Sequence, residues 1–326
     1  MAMAKAKVIK STDALSRRLR YSRPSPKVRR LVLTEADYLI FEAIERHGPL
    51  PTGYLYAFTR HLRADFSHLQ NRLTEFYNGD LASKKAGGWL TRPPQQFANF
   101  EARYQHMVYG LAPRAQVALA ERGRSSRFSP RGGGHFVHQL MAACTAASIE
   151  LRASQLGIRY ISRAEIFARS DCHAAKQSSI PLAIPIGGSE RGTLIPDDLF
   201  GLHYPEGGYR FFAVEIDRCT ESIRRSGNTK GSFASKIDSY QSLLSTSAYR
   251  EWWGIPNITV LTVTTNDKHA TGLIEYVRRT GQHYDRFAFA VEPSFGANWQ
   301  VSKGVLDHLL DSPWITASGV KDIGKA

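Results

Sequence analysis

Cysteine is scarce in this chain of 326 residues, which holds only Cys144, Cys172 and Cys219. An odd number of cysteines without C-x-x-C spacing excludes a disulfide framework and a zinc knuckle. Such usage is typical of a reducing compartment, so we expect the protein to be cytoplasmic. No apolar run approaches the ~20 residues that cross a bilayer, and the basic N-terminus lacks the apolar segment of a signal peptide. We therefore expect neither membrane insertion nor secretion.

Acidic residues are few in the first part of the chain. Residues 1–134 hold 10 Asp and Glu against 23 Lys and Arg, a net charge of +13 out of +14 for the whole chain. Such a block commonly serves a polyanionic partner, although it also forms plain solvated surfaces. We predict that the partner is nucleic acid. The chain length, with 42% hydrophobic residues, predicts two domains.

The basic part of the sequence has the pattern of a DNA-binding unit. Residues 1–30 predict a flexible basic arm, which lies either along phosphates or in solvent. Residues 31–120 predict three helices, two short strands and a closing helix, the order of a winged helix-turn-helix. Residues 121–134, rich in Arg, Ser and Gly, predict a linker.

The third predicted helix has an apolar stripe that runs from Leu62 to Phe76 and leaves a polar face free for a major groove. We predict DNA contacts from polar residues at this face and in the wing, namely Arg60, Arg63, Ser67, His68, Asn71, Arg72 and Arg92. Replacing Arg63, Asn71 or Arg72 by Ala is expected to lower DNA affinity without unfolding the chain.

Strands alternate with helices after residue 135, which predicts an α/β domain over residues 135–300 and a C-terminal tail over residues 301–326. The whole chain is therefore predicted to be α/β, or α+β when both domains are counted. Gly187 and Gly188 are not followed by a phosphate-loop lysine, so we expect no nucleotide cofactor.

Three acids of the second part are spaced for a cation site. Asp197 or Asp198 ends one hydrophobic segment, and Glu215 and Asp217 stand two residues apart on the next predicted strand, so both point to one face. Carboxylates gathered on one face repel each other unless a cation such as Mg²⁺ or Mn²⁺ neutralises them. The alternative is that Asp197 and Asp198 belong to a turn and Asp217 simply ends a strand.

The run from Pro196-Asp197 to Glu215-x-Asp217 resembles the P-D…(D/E)-x-K signature of the restriction-endonuclease-like nucleases. Together with the winged-helix pattern, the block from Glu215 to Ser222 resembles the replication-relaxation family of plasmids and mobile elements. The resemblance implies that Asp197, Glu215 and Asp217 hold the metal, with Glu150 as a helical acid.

Asp217 stands where that nuclease signature has its lysine. The resemblance therefore implies a substitute cation, with Lys236 as the first candidate and Arg218 as the second. A nuclease fold without cleavage follows if neither of them reaches the acids.

The leading prediction is a DNA-binding protein of a plasmid, mobile element or phage. It would act as a regulator or as a replication or mobilisation accessory factor. One alternative is a Mg²⁺-dependent DNA endonuclease that uses Glu150, Asp197, Glu215, Asp217 and Lys236. Another is a protein-interaction module in which the second domain forms a homodimer or binds a partner.

Overall fold

A computed structural model describes residues 23, 30–63, 65–80, 87–97, 105–125, 135–187, 192–219, 233–280, 282–302 and 304–326. Almost all of the expected basic arm, residues 126–134 of the expected linker and the segment 220–232 lie outside the described residues. The described parts form a mixed α/β fold, which confirms the predicted fold class. No helix in these parts is both long and apolar enough to cross a bilayer.

The N-terminal unit packs four helices around a small antiparallel sheet. Its elements are α1 (Glu35–His47), β1 (Leu50–Pro51), α2 (Thr52–Thr59), α3 (Phe66–Asn78), β2 (Leu90–Thr91), β3 (Val108–Leu111) and α4 (Pro113–Glu121). The sheet has the order β1-β3-β2. The strand β1 is not in the sequence prediction because two residues, one of them Pro, carry no alternation.

Helix α3 begins at Phe66, one turn later than the predicted stripe. Its apolar side, Leu69, Leu73 and Phe76, is fully buried, whereas Leu62 precedes the helix and is exposed. The side chain of Asp65 caps the helix by accepting the Ser67 N–H at 2.7 Å. The stripe therefore fixes which side of α3 remains available to solvent.

A buried glutamine closes the loop between β2 and β3. The Gln96 side chain donates to the Val108 carbonyl at 3.0 Å and accepts the Val108 N–H at 2.9 Å. A side-chain amide that bonds both the N–H and the carbonyl of a strand residue satisfies these backbone groups as a neighbouring strand would. This contact fixes the base of the β2–β3 hairpin.

The second part of the chain is built on one seven-stranded sheet. Its elements are α5 (Phe136–Gln155), β4 (Arg159–Ile161), α6 (Arg163–Ala168), α7 (Ala174–Gln177), β5 (Ile184–Pro185), β6 (Thr193–Leu194), β7 (Asp198–His203), β8 (Tyr209–Asp217), α8 (Phe233–Thr246), α9 (Ala248–Trp253), β9 (Thr259–Thr264), α10 (Asp267–Thr280), β10 (Phe287–Val291), α11 (His308–Asp311), β11 (Trp314–Thr316) and β12 (Gly319–Lys321). The strand order is β12-β11-β10-β9-β8-β7-β4, with β8, β9 and β10 parallel.

The two faces of this sheet bury different helices, and alternate residues of β8 belong to different hydrophobic clusters. Phe212, Val214 and Ile216 pack in the cluster that contains α5 and the N-terminal helices. Phe211 and Ala213 pack in the cluster that contains α8, α9 and α10. By the same alternation, Glu215 and Asp217 face α8 and α10.

The N-terminal unit shares its hydrophobic cluster with α5 and the sheet. Polar contacts add to this junction, since the Tyr54 hydroxyl lies 2.9 Å from the Ser148 hydroxyl. At the described start of the expected linker, Arg124 pairs with Glu35 and Glu42 of α1. The segment up to Ser125 is thus anchored on the N-terminal unit.

Two predicted boundaries in the second part are wrong. Residues 301–326 were expected as a tail, but β11 and β12 extend the main sheet from β10. The stretch from Leu194 to Leu202 was expected as one strand, but it breaks at Pro196, which lacks a backbone donor for a ladder. Leu194 instead pairs with Ile184 in a separate two-stranded sheet.

Candidate functional site

Asp197 and Glu215 lie side by side where β7 begins beside β8. The Asp197 N–H donates to the Val214 carbonyl at 2.9 Å, and the Asp197 Oδ2 accepts the Ile216 N–H at 2.8 Å. These two bonds fix the Asp197 carboxylate next to Glu215. The Asp197 side chain keeps 19% of its surface exposed, whereas Glu215 is buried.

Lys236 reaches this pair of acids from α8. Its ammonium forms an ion pair with the Glu215 Oε2, and the Tyr240 hydroxyl donates to the Glu215 Oε1 at 2.7 Å. Lys236 and Tyr240 are four residues apart, so they stand on one face of α8. The structure therefore brings the first candidate for the substitute lysine to the acids, with 26% of its side chain still exposed.

The two carboxylates have opposite pKa shifts. Burial raises the pKa of Glu215, and the nearby charge of Asp197 adds to this rise, although Lys236 opposes it. Burial also acts to raise the pKa of Asp197, but the hydrogen bond from His138 and the charge of Lys236 outweigh it and lower that pKa. Acids with separated pKa values in one place are typical of functional sites.

His138 also belongs to this site, although the sequence pattern indicated only a histidine at a helix start with no acidic partner. It stands in the first turns of α5, and its Nε2 lies 3.3 Å from the Asp197 Oδ2 and 3.2 Å from the Ile216 carbonyl. Burial lowers the pKa of His138, but the hydrogen bond and charge of Asp197 outweigh burial and raise it. A histidine at a helix start has no local signal for such a distant partner.

Asp217 does not join Asp197 and Glu215, in contrast to the predicted metal set. Residues two apart on a strand stand roughly 7 Å apart. Glu215 therefore meets α8, whereas Asp217, further along β8, meets α10. Its Oδ2 lies 2.6 Å from the His269 Nε2 of α10, and its Oδ1 accepts the Cys219 N–H at 2.9 Å. The structure thus separates Asp217 from the pair of acids.

Arg218 points away from these acids. It donates to the carbonyls of Phe295 and Gly296 at 3.0 and 3.3 Å. Because side chains alternate along the strand, its direction is opposite to that of Asp217. The second candidate for the substitute cation therefore belongs to a backbone contact elsewhere.

Glu150 is also remote from the acids. It stands 12 residues after His138 on α5, which is roughly 18 Å along the helix axis. Its carboxylate pairs with Arg46 and His47 of α1. Burial acts to raise the pKa of Glu150, but His47 and Arg46 outweigh it and lower that pKa. Glu150 joins α5 to the N-terminal unit, so its predicted grouping with the other acids is wrong.

The predicted DNA-binding face divides into exposed residues and residues held inside the unit. Arg63 pairs with the buried carboxylate of Asp37, and Arg72 pairs with it at 2.8 Å. Most of each arginine side chain is therefore covered, and neither lies on the free face of α3. Their role in DNA binding stays a prediction, but their replacement is no longer expected to leave the fold intact.

The remaining predicted residues of this face are accessible, apart from Arg92. The exposed ones are Arg60, Ser67, His68 and Asn71. Arg92 is half-buried between α3 and the hairpin, where it donates to the Thr74 hydroxyl at 3.2 Å and to the Tyr109 hydroxyl at 3.0 Å. Its guanidinium also stacks on the ring of Tyr77 at 4.3 Å. Arg92 thus fixes the hairpin against α3.

A family model described as Replication-relaxation matches residues 41–258, which is more than half of the chain. The chain belongs to the replication-relaxation family. The match includes Asp197, Glu215 and Lys236, and it ends just before β9, so His269 lies outside it. A comparison with curated proteins and a comparison with solved structures each found no match.

Proposed function

We propose that this protein of the replication-relaxation family binds double-stranded DNA during the replication or mobilisation of a plasmid or other mobile element. The N-terminal unit would act as a winged helix. Family membership and the positive charge of residues 1–134 support this function. The observation that carries it is the exposed polar face of α3.

The N-terminal unit has the element order that such a role requires. Three helices are followed by the β2–β3 hairpin and a closing helix, with β1 completing the small sheet. Ser67, His68, Gln70 and Asn71 are exposed on α3, while its apolar side is buried. Short polar side chains on a rigid helix are suited to the donors and acceptors of a major groove.

Asp37 supports this proposal indirectly. By pairing with Arg63 and Arg72, it fixes α3 against α1. The helix is therefore held by groups other than its exposed face. Phosphate contacts would come from exposed arginines around it, with Arg60 as the first.

The test measures binding of a fluorescent duplex by anisotropy at several salt concentrations. Asn71→Ala should weaken binding, and Arg60→Ala should weaken it and make the salt slope shallower by about 0.9 for each lost phosphate contact. The matched control is Arg279→Ala, which removes an exposed arginine of α10 and should change neither quantity. Equal losses in Arg60→Ala and Arg279→Ala, or binding that does not depend on salt, would contradict the proposal.

A second candidate function is metal-dependent hydrolysis of DNA, and the position of Lys236 favours it. Lys236 brings an ammonium to Glu215 from α8, although Asp217 occupies the expected lysine position of the signature. The oxygens of Asp197 and Glu215 are donors that fit Mg²⁺ or Mn²⁺. Such an ion would supply positive charge to a phosphate and a more acidic water. Lys236 would orient the attacking water and stabilise developing negative charge.

Supercoiled plasmid with Mg²⁺ or Mn²⁺ tests this second function. Nicking should be lost in Asp197→Ala and Lys236→Met and retained in Glu150→Gln, because Glu150 is remote from the other two. The absence of metal-dependent nicking by the unchanged protein would exclude cleavage. DNA binding through α3 would then remain as the function to be tested by anisotropy.

A further inference from the structure

A second cluster of side chains meets at the end of β8, separate from Asp197 and Glu215. Among the residues that the structure describes, Asp217, Cys219 and His269 form a group whose ligand atoms all lie within 4.8 Å of one another. Asp217 and His269 are largely covered, with 6% and 13% of their side chains exposed. The cluster therefore places an oxygen, a sulfur and a nitrogen donor together in a mostly dry place.

The local backbone brings the thiol of Cys219 into this cluster. Cys219 has a φ of 57°, in the left-handed region that non-glycine residues rarely adopt. Just after β8, the Cys219 N–H donates to the Asp217 Oδ1 at 2.9 Å. The Cys219 Sγ then lies 3.1 Å from the Thr264 hydroxyl at the end of β9. Uncommon backbone conformations at a cluster of reactive side chains are typical of functional sites.

The imidazole comes from a different part of the chain. His269 lies in the first turn of α10, where the Asn266 side-chain oxygen accepts the backbone N–H of His269 at 3.1 Å. The parallel pairing of β8 and β9 aligns Asp217 with Thr264, so α10 begins beside the end of β8. Two neighbouring strand ends and one helix start therefore fix all three donors.

We propose that Asp217, Cys219 and His269 bind one zinc-class divalent cation. Thiolate with imidazole and carboxylate is a donor set that suits Zn²⁺, whereas Mg²⁺ and Ca²⁺ prefer oxygen alone. Three protein donors leave the fourth tetrahedral position for water or another small ligand. The proposal does not depend on DNA binding or on cleavage.

The distances require only a small adjustment. The donor atoms around a tetrahedral zinc ion stand roughly 3 to 4 Å apart. Asp217 and His269 are 2.6 Å apart, and the whole group lies within 4.8 Å. The cation replaces the proton shared by the Asp217 carboxylate and the His269 imidazole, and that proton leaves to solvent. The distance between these two groups then increases slightly, and the Cys219 Sγ moves closer to both of them.

Outer contacts already orient two of the donors. The Cys219 N–H occupies the Asp217 Oδ1, which leaves Oδ2 as the ligand atom. The hydroxyls of Thr264 and Thr265 lie 3.1 and 3.4 Å from the Cys219 Sγ and are positioned to donate to a thiolate. Hydrogen bonds of this kind around metal ligands commonly raise affinity.

Cobalt titration of the full chain, stripped of metal by a chelator, tests the site. Co²⁺ bound through a thiolate absorbs in the near ultraviolet, and a tetrahedral site adds visible bands. We expect one equivalent of Co²⁺ per chain, displaced by Zn²⁺ but not by an excess of Mg²⁺. Zn²⁺ should also raise the Tm of the unchanged protein, because a ligand that binds only the folded state stabilises it.

Variants separate this site from other thiols and from the neighbouring acids. Cys219→Ser should abolish the thiolate absorption, and His269→Gln should weaken zinc binding about tenfold or more. Cys172→Ala, which removes a buried thiol, and Asp197→Asn should both retain the absorption. If Cys219→Ser does not fold, His269→Gln carries the test, with circular dichroism as the folding control. Thiolate absorption that persists in Cys219→Ser, or unchanged zinc affinity in His269→Gln, would overturn the proposal.

Discussion

Asp37 of the N-terminal unit and Glu215 of the sheet are both fully buried carboxylates, but their surroundings differ. Asp37 meets two arginines and also accepts the Thr34 N–H at 2.8 Å, so its charge is compensated more than once. Glu215 meets one lysine and one tyrosine, and burial raises its pKa. We infer that a fully compensated buried acid serves the architecture, whereas a partly compensated acid beside a second carboxylate marks a site.

Asp37→Ala should give the largest effect. The substitution leaves two partly buried arginines without their acid and removes the capping box of α1, so we expect a loss of about 3 to 5 kcal/mol in the free energy of unfolding. Urea unfolding measures it. The control is Asp65→Ala, which removes the exposed cap of α3 and should cost about 1 kcal/mol. Similar losses in both variants would show that Asp37 is not a structural centre.

Arg72 and Asn71 sharpen the comparison because they are neighbours on α3. Arg72 pairs with Asp37, donates to the Val32 carbonyl at 2.6 Å and stacks on Phe76. We expect Arg72→Ala to destabilise the fold by about 2 kcal/mol, a typical value for bonds to charged groups. Asn71→Ala, at an exposed position, should stay within about 0.5 kcal/mol. Equal thermal stability of the two variants would contradict this division of the helix.

The opposite pKa shifts of Glu215 and Asp197 predict opposite pH dependences. The pKa of Glu215 is raised by burial, so its contribution to stability is greatest below the unfolded value of about 4.3 and is lost as pH rises through the folded pKa. The pKa of Asp197 is lowered by His138 and Lys236 despite burial, so its contribution is present above about 3.9 and is lost as pH falls through the folded pKa.

Unfolding of Glu215→Gln and Asp197→Asn at a series of pH values measures these contributions. The stability advantage of the unchanged protein over Glu215→Gln should shrink from mildly acidic to neutral pH. Its advantage over Asp197→Asn should be greatest near neutral pH and should shrink in acid. Two curves with the same slope would remove the distinction between these carboxylates.

Strong local patterns made much of the fold predictable. The alternating and apolar run of β8 predicts its bounds, Tyr209–Asp217, because a turn precedes it and polar residues follow it. The short strands β1, β11 and β12 lack such a pattern, since they exist through pairing with distant partners. Periodicity within a segment cannot reveal pairing that only the tertiary structure supplies.

The same limit applies to the candidate sites. Strand alternation correctly predicts that Glu215 and Asp217 share a face, but not that they have different neighbours. Lys236 came from the resemblance, whereas His138 and His269 come close only because helices and parallel strands bring distant segments together. Cys219 and His269 are 50 residues apart, a spacing that resembles no metal motif.

His138→Gln should give the smallest effect, because a third of its side chain is exposed and solvent screens the pair. Its hydrogen bond and charge lower the pKa of Asp197, and Asp197 in turn outweighs the burial of His138 and raises its pKa. The raised histidine contributes stability below its unfolded pKa of about 6.5 and loses it as pH rises through the folded value. Asp197 loses its own contribution in acid. The advantage of the unchanged protein should therefore be greatest between about pH 4 and 6.5 and remain within about 1 kcal/mol.

The matched control for this last comparison is His135→Gln, which changes an exposed histidine just before α5. The measurement is the free energy of unfolding of both variants, relative to the unchanged protein, across the same pH range. A maximum that appears with His138→Gln and not with His135→Gln would assign the effect to the contact with Asp197. The same flat difference for both variants would mean that solvent screening removes the coupling between His138 and Asp197. The charge of Lys236 and the Ile216 N–H would then hold Asp197 in its ionised form.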